Sequence, residues 1–382
     1  MHPITRSFIS GSDMQKKKRL IQISTILIFT GILGIFSIWN ALAPKETVSW
    51  NENRTLAPAP DLSPSHIFGG RFDDDFETWF SDHYMNRDFW IELKSMIRRG
   101  MLAIENNDIY YAKEERLVSR FASADKTVLD SNAETILTFA KEHNVTPNIL
   151  LVPTAAWGAS STLPAGHWDL DQKAMLEELE TTFAETNYIP IMNYLPQDPS
   201  LYFRTDHHWN EQGAWHGYEA ICAEVLHKEP NAFRYEDASR SFCGTMYSKS
   251  GAFWTKPDMI RTIIPEAPVQ AVTTLDDGTK LDGVYNPARL AEKDQYTYYI
   301  DGNHAREDIH TDVNNGRTAV IVKDSYSHIL VPYLITEYED LILIDLRYYH
   351  APVSDLLGSD SDLYFIYSLD NFASDPNLAF LR

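Results

Sequence analysis

Asp206-His207-His208-Trp209 sets a carboxylate, two imidazoles and an indole side by side. Groups of this kind are costly to bury without partners, so their clustering asks for a use. A carboxylate two positions before an imidazole can accept its Nδ1–H. That fixes the tautomer and leaves Nε2 as a general base, which needs a hydroxyl or thiol to act on. Two other readings stand beside this one: a polar surface loop with Trp209 folded inward, or a facial Asp-His-His metal site. Ala214, Tyr218, Ile221 and Val225 recur at helical spacing, predicting a helix over residues 211–228 with Asn210 as N-cap. The cluster then sits on the loop at that helix's N-terminus.

A partner for the base lies near the other end of the chain. Residues 318–327 read Thr-Ala-Val-Ile-Val-Lys-Asp-Ser-Tyr-Ser, a buried strand, a sharp turn and the start of a helix. Ser325 at such a turn exposes Oγ at the strand's carboxyl end. Backbone N–H groups and the helix dipole would face a developing oxyanion. Serine is also a common N-cap in α/β proteins, so Ser325 gains its weight from an acid–histidine pair that needs a nucleophile.

The elements around these two stretches alternate as in an α/β protein. Residues 125–143 and 171–186 are predicted helices, and 325–337 a helix that must accommodate Pro332. Residues 147–153, 318–323, 341–346 and 363–367 are apolar runs, the pattern of strands covered on both faces. A short strand is expected at 188–195. Residues 108–121 have strand character, with a hairpin turn at Lys113-Glu114-Glu115-Arg116, and 66–101 reads as amphipathic helix rich in aromatics. Residues 229–317 show no regular pattern, although they hold Tyr247-Ser248-Lys249-Ser250-Gly251 and Asp301-Gly302-Asn303.

A chain of 382 residues with formal charge −21 offers no basic face for nucleic acid. Its charge is uneven. The first 20 residues carry Arg6, Lys16, Lys17, Lys18 and Arg19 against Asp13 alone, and residues 21–43 are apolar almost throughout. This is the pattern of a single membrane-spanning helix with a cytoplasmic N-terminus and an extracytoplasmic body. Ala41-Leu42-Ala43 resembles a signal-peptidase site, but Pro44 follows directly, so the helix is expected to stay as an anchor. Pro44, Pro58, Pro60 and Pro64 mark residues 44–65 as a linker to a body at 66–382. Cys222 and Cys243 are too few for a disulfide framework, and spacing does not decide whether they pair.

Asp206-His207-His208-Trp209, Tyr247-Ser248-Lys249-Ser250-Gly251, Lys323-Asp324-Ser325-Tyr326 and Glu52-Asn53-Arg54 together resemble the bacterial DHHW family. That family is similar to the SGNH-hydrolase-like proteins that O-acetylate alginate and other exopolysaccharides. The resemblance implies a three-layer α/β fold with a mostly parallel sheet and a circularly permuted motif order. The Asp/His pair comes first here and the Asp-Ser turn last. It further implies Ser325 as nucleophile, His208 as base and Asp206 as its orienting acid, since the relatives read Asp-x-His-Trp. His207, Trp209 and Tyr326 fall on the oxyanion or substrate side. The order of strands in the SGNH fold would bring Asn371 to the oxyanion, with Asn303 as a rival donor. Lys323 stands where the usual Gly-Asp-Ser has glycine, and no Gly-x-Asn-Asp block is present.

The expected reaction is acyl transfer to a cell-surface polysaccharide, with no metal and no soluble cofactor. A membrane-bound O-acyltransferase would be the partner that supplies acetyl groups. Trp157, Trp209, Trp215 and Trp254 are candidate platforms for sugar rings. An acetylesterase on the same fold and a non-catalytic glycan-binding or envelope-assembly protein are the alternatives. The expected topology has a direct test. Protease added to intact spheroplasts should digest the body, and a protected body would reverse the orientation.

Overall fold

The computed structural model describes residues 11–42, 45–52 and 54–382. Arg6 of the basic stub, Ala43 and Pro44 at the end of the expected anchor, and Asn53 lie outside them. The chain divides into two compact units, Met1–Ser49 with Arg54–Ile91, and Trp50–Asn53 with Glu92–Arg382.

The first unit contains helices α1 (Gly11–Leu42), α2 (Pro64–Phe68) and α3 (Phe72–Asp82), and a short ladder between β1 (Val48–Ser49) and β2 (Arg54–Thr55). Helix α4 (Arg87–Gly100) begins in it. Within α1, Gln15–Asn40 has a mean hydropathy of 2.1 and is long and apolar enough to cross a bilayer. Arg54, from the quoted Glu52-Asn53-Arg54, forks onto the buried Asp82 carboxylate, which also accepts the Ala57 N–H. The guanidinium holds the Asp82 carboxyl down to about 2.

The second unit is built on a large sheet. Strands β3 (Glu105–Asn106), β4 (Ile109–Tyr111) and β5 (Leu117–Ser119) form a small antiparallel sheet, with a turn at Lys113–Glu115 where the hairpin is expected. Helix α5 (Lys126–His143) is capped by Asp125 and leads into β6 (Asn148–Val152). Helices α6 (Ala155–Gly158) and α7 (Gln172–Thr182) precede β7 (Asn187–Tyr188). Helix α8 (Glu211–Ile221) then starts at Asn210, whose side chain accepts from the N–H groups of Gln212 and Gly213. The helix predicted to residue 228 continues as a π turn over Cys222–Leu226 and stops at His227, which is left-handed.

The stretch 229–317 corrects the expectation of irregularity. It holds β8 (Phe233–Phe242), helix α9 (Thr245–Ser250), β9 (Asp258–Pro265), β10 (Ala271–Leu275), β11 (Lys280–Asp282) and β12 (Arg306–Thr311). The residues of β8 are mostly exposed, and its pairing with β9 shifts register twice, which removes the period-two signal. After it come β13 (Thr318–Lys323), helix α10 (Val331–Leu334), β14 (Asp340–Ile344), β15 (Ser361–Ser368) and helix α11 (Leu369–Phe372).

The sheet order is β11-β10-β12-β14-β13-β15-β6-β7. The five strands from β14 to β7 run parallel, and β12, β10 and β11 extend them antiparallel. Every residue of β6, and every residue of β13 after Thr318, is buried, so this half is covered on both faces. In β10 burial alternates and Val272 is 45% exposed, so the antiparallel half is covered on one face.

Two predicted elements are shorter than their patterns. The strand expected at 188–195 ends at Tyr188, because Pro190 has no N–H to extend a ladder. The helix expected at 325–337 is two pieces, a 3-10 turn at Ser325–Ser327 and α10, with Pro332 in the first turn of the second. One turn cannot supply the helix dipole expected behind Ser325. Cys222 and Cys243 are both free thiols.

Candidate active site

His208, the predicted base, sits on a tight loop. Tyr202 and Trp209 form an antiparallel bridge, and the Phe203 N–H donates to the His208 carbonyl at 3.2 Å. Asp258, where β9 begins, clamps the loop from outside. One of its oxygens accepts the Arg204 N–H at 2.8 Å, and the other accepts the Thr205 N–H at 2.7 Å and hydroxyl at 2.6 Å. Inside the loop, Asp206 Oδ1 lies 2.5 Å from His208 Nδ1 and accepts the His208 N–H at 3.1 Å. Its Oδ2 accepts the Thr245 N–H at 2.8 Å and hydroxyl at 3.1 Å.

Thr245 opens α9, the helix formed by the Tyr247-Ser248-Lys249-Ser250 segment and ended by Gly251 at φ 64°. Any Cβ at the preceding residue, Gly244, would overlap the Asp206 carboxylate. Glycine there lets the start of α9 close on the acid. This segment, which has no assigned role in the sequence, completes the hydrogen bonding of Asp206.

Ser325, the predicted nucleophile, is presented by a second carboxylate. Asp324 follows the last residue of β13, and its Oδ1 accepts the Tyr326 N–H at 2.8 Å, capping the turn. Its Oδ2 accepts from the Ser368 N–H and hydroxyl, each at 2.8 Å, and from Asn371 Nδ2 at 2.9 Å. Asp324 thus ties the end of β13 to the end of β15, its parallel neighbour, and Ser325 projects from that junction. Ser325 Oγ lies 2.8 Å from His208 Nε2. The structure therefore brings Asp206, His208 and Ser325 into one hydrogen-bonded line.

Tyr296, which sequence reasoning missed, supports this line. Its ring stacks on that of His208, with centroids 3.8 Å apart and planes 9° apart. Its hydroxyl donates to the Ser325 carbonyl at 3.0 Å. It lies on a 3-10 turn, Gln295–Tyr298, where no periodicity marks it.

Burial sets the electrostatics. It pushes the Asp206 carboxyl up, but His207, His208 and the hydrogen bonds outweigh it, so the group stays well below the usual carboxylate range. Burial, with His207 adding to it, pushes His208 below its ordinary 6.5, so the imidazole is neutral near pH 7. Lys323 belongs to a second buried group. Its Nζ is 3.0 Å from His328 Nε2 and 3.7 Å from Glu307 Oε1 on β12, and burial pushes the Glu307 carboxyl up.

The remaining predicted residues divide. Trp209 and Tyr326 are fully buried, which corrects the expectation that they face substrate. The Trp209 indole N–H donates to the Tyr326 carbonyl at 2.8 Å, and the Tyr326 hydroxyl donates to the His207 carbonyl. They brace the base loop against the nucleophile turn. Trp209 lies across Gly217, where a Cβ would come within 2.6 Å of the indole. Trp157, Trp215 and Trp254 are partly exposed. The His207 side chain is 28% exposed, with Nδ1 2.8 Å from the Thr245 hydroxyl. Asn371 sits beside the nucleophile turn through its bond to Asp324. Asn303 is exposed and accepts from Arg347 at 3.1 Å, on a different loop. Asp206, His207 and His208 offer atoms within 4.8 Å of one another, close enough for an ion. Both ring nitrogens of His208 are, however, already engaged by Asp206 and Ser325.

Gly244→Ala should push α9 off Asp206 and lower the free energy of unfolding by about 1–3 kcal/mol, the usual cost of overpacking. Denaturant unfolding measures this, and an unchanged midpoint would show that the contact is dispensable.

Several solved structures are similar to this chain, and the first two below share its fold. A DHHW family protein from Eubacterium siraeum is 20% identical, with 72% of this chain and 96% of that chain covered at a TM-score of 0.61. Bacillus cereus PatB1, solved with a sulfonyl adduct, is also 20% identical, with 72% and 98% covered at 0.57. The O-acetyltransferase domain of Pseudomonas putida AlgJ is 14% identical, with 72% and 95% covered at 0.46. No curated protein matches the chain significantly. The DHHW protein family model matches residues 183–344, which hold the Asp206 loop, α9 and the Ser325 turn, so the resemblance read from those residues to the DHHW family stands.

Proposed function

We propose that the protein is a membrane-anchored, extracytoplasmic O-acyltransferase, of the O-acetyl kind, that modifies a cell-surface polysaccharide through an acyl-enzyme on Ser325. The observation that carries this reading is the 2.8 Å contact between Ser325 Oγ and a His208 ring already bonded to Asp206. His208 Nε2 takes the Ser325 proton as Oγ attacks the donor's acyl carbonyl, while Asp206 balances the imidazolium. The proton passes to the leaving group and the acyl ester stays on Ser325. A sugar hydroxyl then gives its proton to His208 and attacks that ester, and the same proton returns to Ser325 as it leaves.

The Ser325 backbone N–H and the second hydrogen of Asn371 Nδ2 are the proposed oxyanion donors, an effect commonly worth about 3–4 kcal/mol in the barrier. Residues 1–20 are read as the cytoplasmic stub, 21–43 as the anchor, 44–65 as linker and 66–382 as a circularly permuted SGNH-like body. The resemblance supports the polysaccharide acceptor and a membrane-bound O-acyltransferase partner, since acetyl-CoA has no evident supply outside the cell. Product analysis on bare and acetylated glycan separates transfer from ester hydrolysis.

Ser325→Ala and His208→Ala should each abolish transfer, and the double variant should be no worse than either, because the residues act as a unit. His207→Ala should be milder. A dead His207 variant beside an active His208 variant would reassign the base. A sulfonyl fluoride should modify Ser325 in the parent chain and leave Ser325→Ala unlabelled. An unlabelled parent would favour a non-catalytic glycan-binding or envelope-assembly role.

The reaction also has a pH signature. The base works neutral, and a lowered pKa keeps it neutral into acid. The acid limb of kcat/KM should therefore lie below 6.5. A limb at or above that value would contradict the buried imidazole.

A further inference from the structure

Helix α3 carries an apolar stripe that the described residues leave partly exposed. Phe72, Phe76 and Phe80 recur four residues apart with Trp79 beside them, so their rings fall within an arc of about 100°. Asp74, Glu77, Thr78 and Ser81 take the opposite side of the same wheel, and Asp73 borders Phe80. Phe72 and Phe76 have ring centroids 5.8 Å apart, and Phe76 and Phe80 5.9 Å. The row continues through Tyr84, 5.6 Å from Phe80, to Trp90 at 6.4 Å. Phe76 is nevertheless 43% exposed, Phe80 39%, and Phe68 at the end of α2 89%. A contiguous exposed row of this kind marks a surface that something covers.

A second observation says what covers it. Asn40 ends the apolar span of α1, is itself buried, and accepts the Met85 N–H on its side-chain oxygen at 3.0 Å. Lys45 donates to the Asn40 carbonyl at 2.8 Å and to the His83 carbonyl at 3.1 Å, and its ammonium lies 5.6 Å from the Trp79 ring centre. The turn between α3 and α4 is thus fastened to the very end of the helix that would cross a bilayer. In a membrane, that end lies among the lipid headgroups, where Phe, Tyr and Trp are favoured.

We infer that α3 lies in the plane of the membrane's extracytoplasmic face, with Phe72, Phe76 and Phe80 set into the boundary between headgroups and acyl chains. The inference rests on reading α1 as a membrane anchor, and the occupant is the phospholipid bilayer. The helix carries more acid than base, so its hold comes from buried rings and not from attraction to anionic lipid. A lone spanning helix leaves the unit free to swivel about the helix axis. A second contact in the membrane plane stops that rotation.

The test uses the full chain, with Cys222 and Cys243 replaced by alanine, in nanodiscs of phosphatidylethanolamine and phosphatidylglycerol. One nitroxide is placed at a time through Ile28→Cys, Phe76→Cys, Phe80→Cys or Glu77→Cys. Collision with lipid-soluble oxygen against an aqueous nickel chelate reports depth. The oxygen-to-nickel ratio at positions 76 and 80 should approach that at 28 and exceed that at 77 severalfold. An aqueous position 28 would overturn the anchor itself. Position 28 in lipid, with 76 and 80 as open to nickel as 77, would overturn the interfacial helix alone and assign the row to a protein partner.

Discussion

A carboxylate sealed from water must have its charge met by donors, and Asp206 is only 2% exposed. That requirement organises the base side of the site. Four donors answer it: the ring and backbone of His208, and the backbone and hydroxyl of Thr245. The first two fix the imidazole. The second two bring α9 against the loop, which in turn demands glycine at 244. Asp258 then holds the loop's own backbone in place. Stripping one member from such a buried set removes a hydrogen bond to a charged group, which typically costs about 1.5–3 kcal/mol.

Asp324 solves the same problem on the nucleophile side with a different result. It too has four donors, none of them an imidazole: Tyr326 N–H, Ser368 N–H and hydroxyl, and Asn371 amide. Asp206 sits against imidazoles. Burial therefore wins at Asp324, whose carboxyl is raised, and loses at Asp206, whose carboxyl is lowered. One acid orients the His208 ring. The other holds two strand ends together so that Ser325 points at that ring.

What could be read from the chain follows from how local each signal is. Asp206, His208 and Ser325 stand in short patterns, a carboxylate two residues from an imidazole and a strand ending in Asp-Ser, and the structure joins them. Strands β6, β13, β14 and β15 announce themselves as continuous apolar runs. Tyr296, Gly244 and Asp258 do not, because each matters only through a partner far along the chain. Trp209 and Tyr326 misled by adjacency. Both lie beside reactive residues, yet their polar atoms find backbone carbonyls inside the core. Lys323 looked like a lost glycine, and its partner Glu307 sits on β12, within the stretch 229–317 where the sequence shows no regular pattern.

The site's connectivity has a consequence for biosynthesis. His208 and Ser325 are 117 positions apart, and Asp324 meets Asn371 47 positions further on. A chain released only as far as residue 360 has the histidine and the serine but lacks the strand that positions the Asp-Ser turn. Closing such long loops is entropically unfavourable until the strands that reward it can pair. The contacts of Asp324 with Ser368 and Asn371 therefore form only once the strand at Ser361–Ser368 can pair.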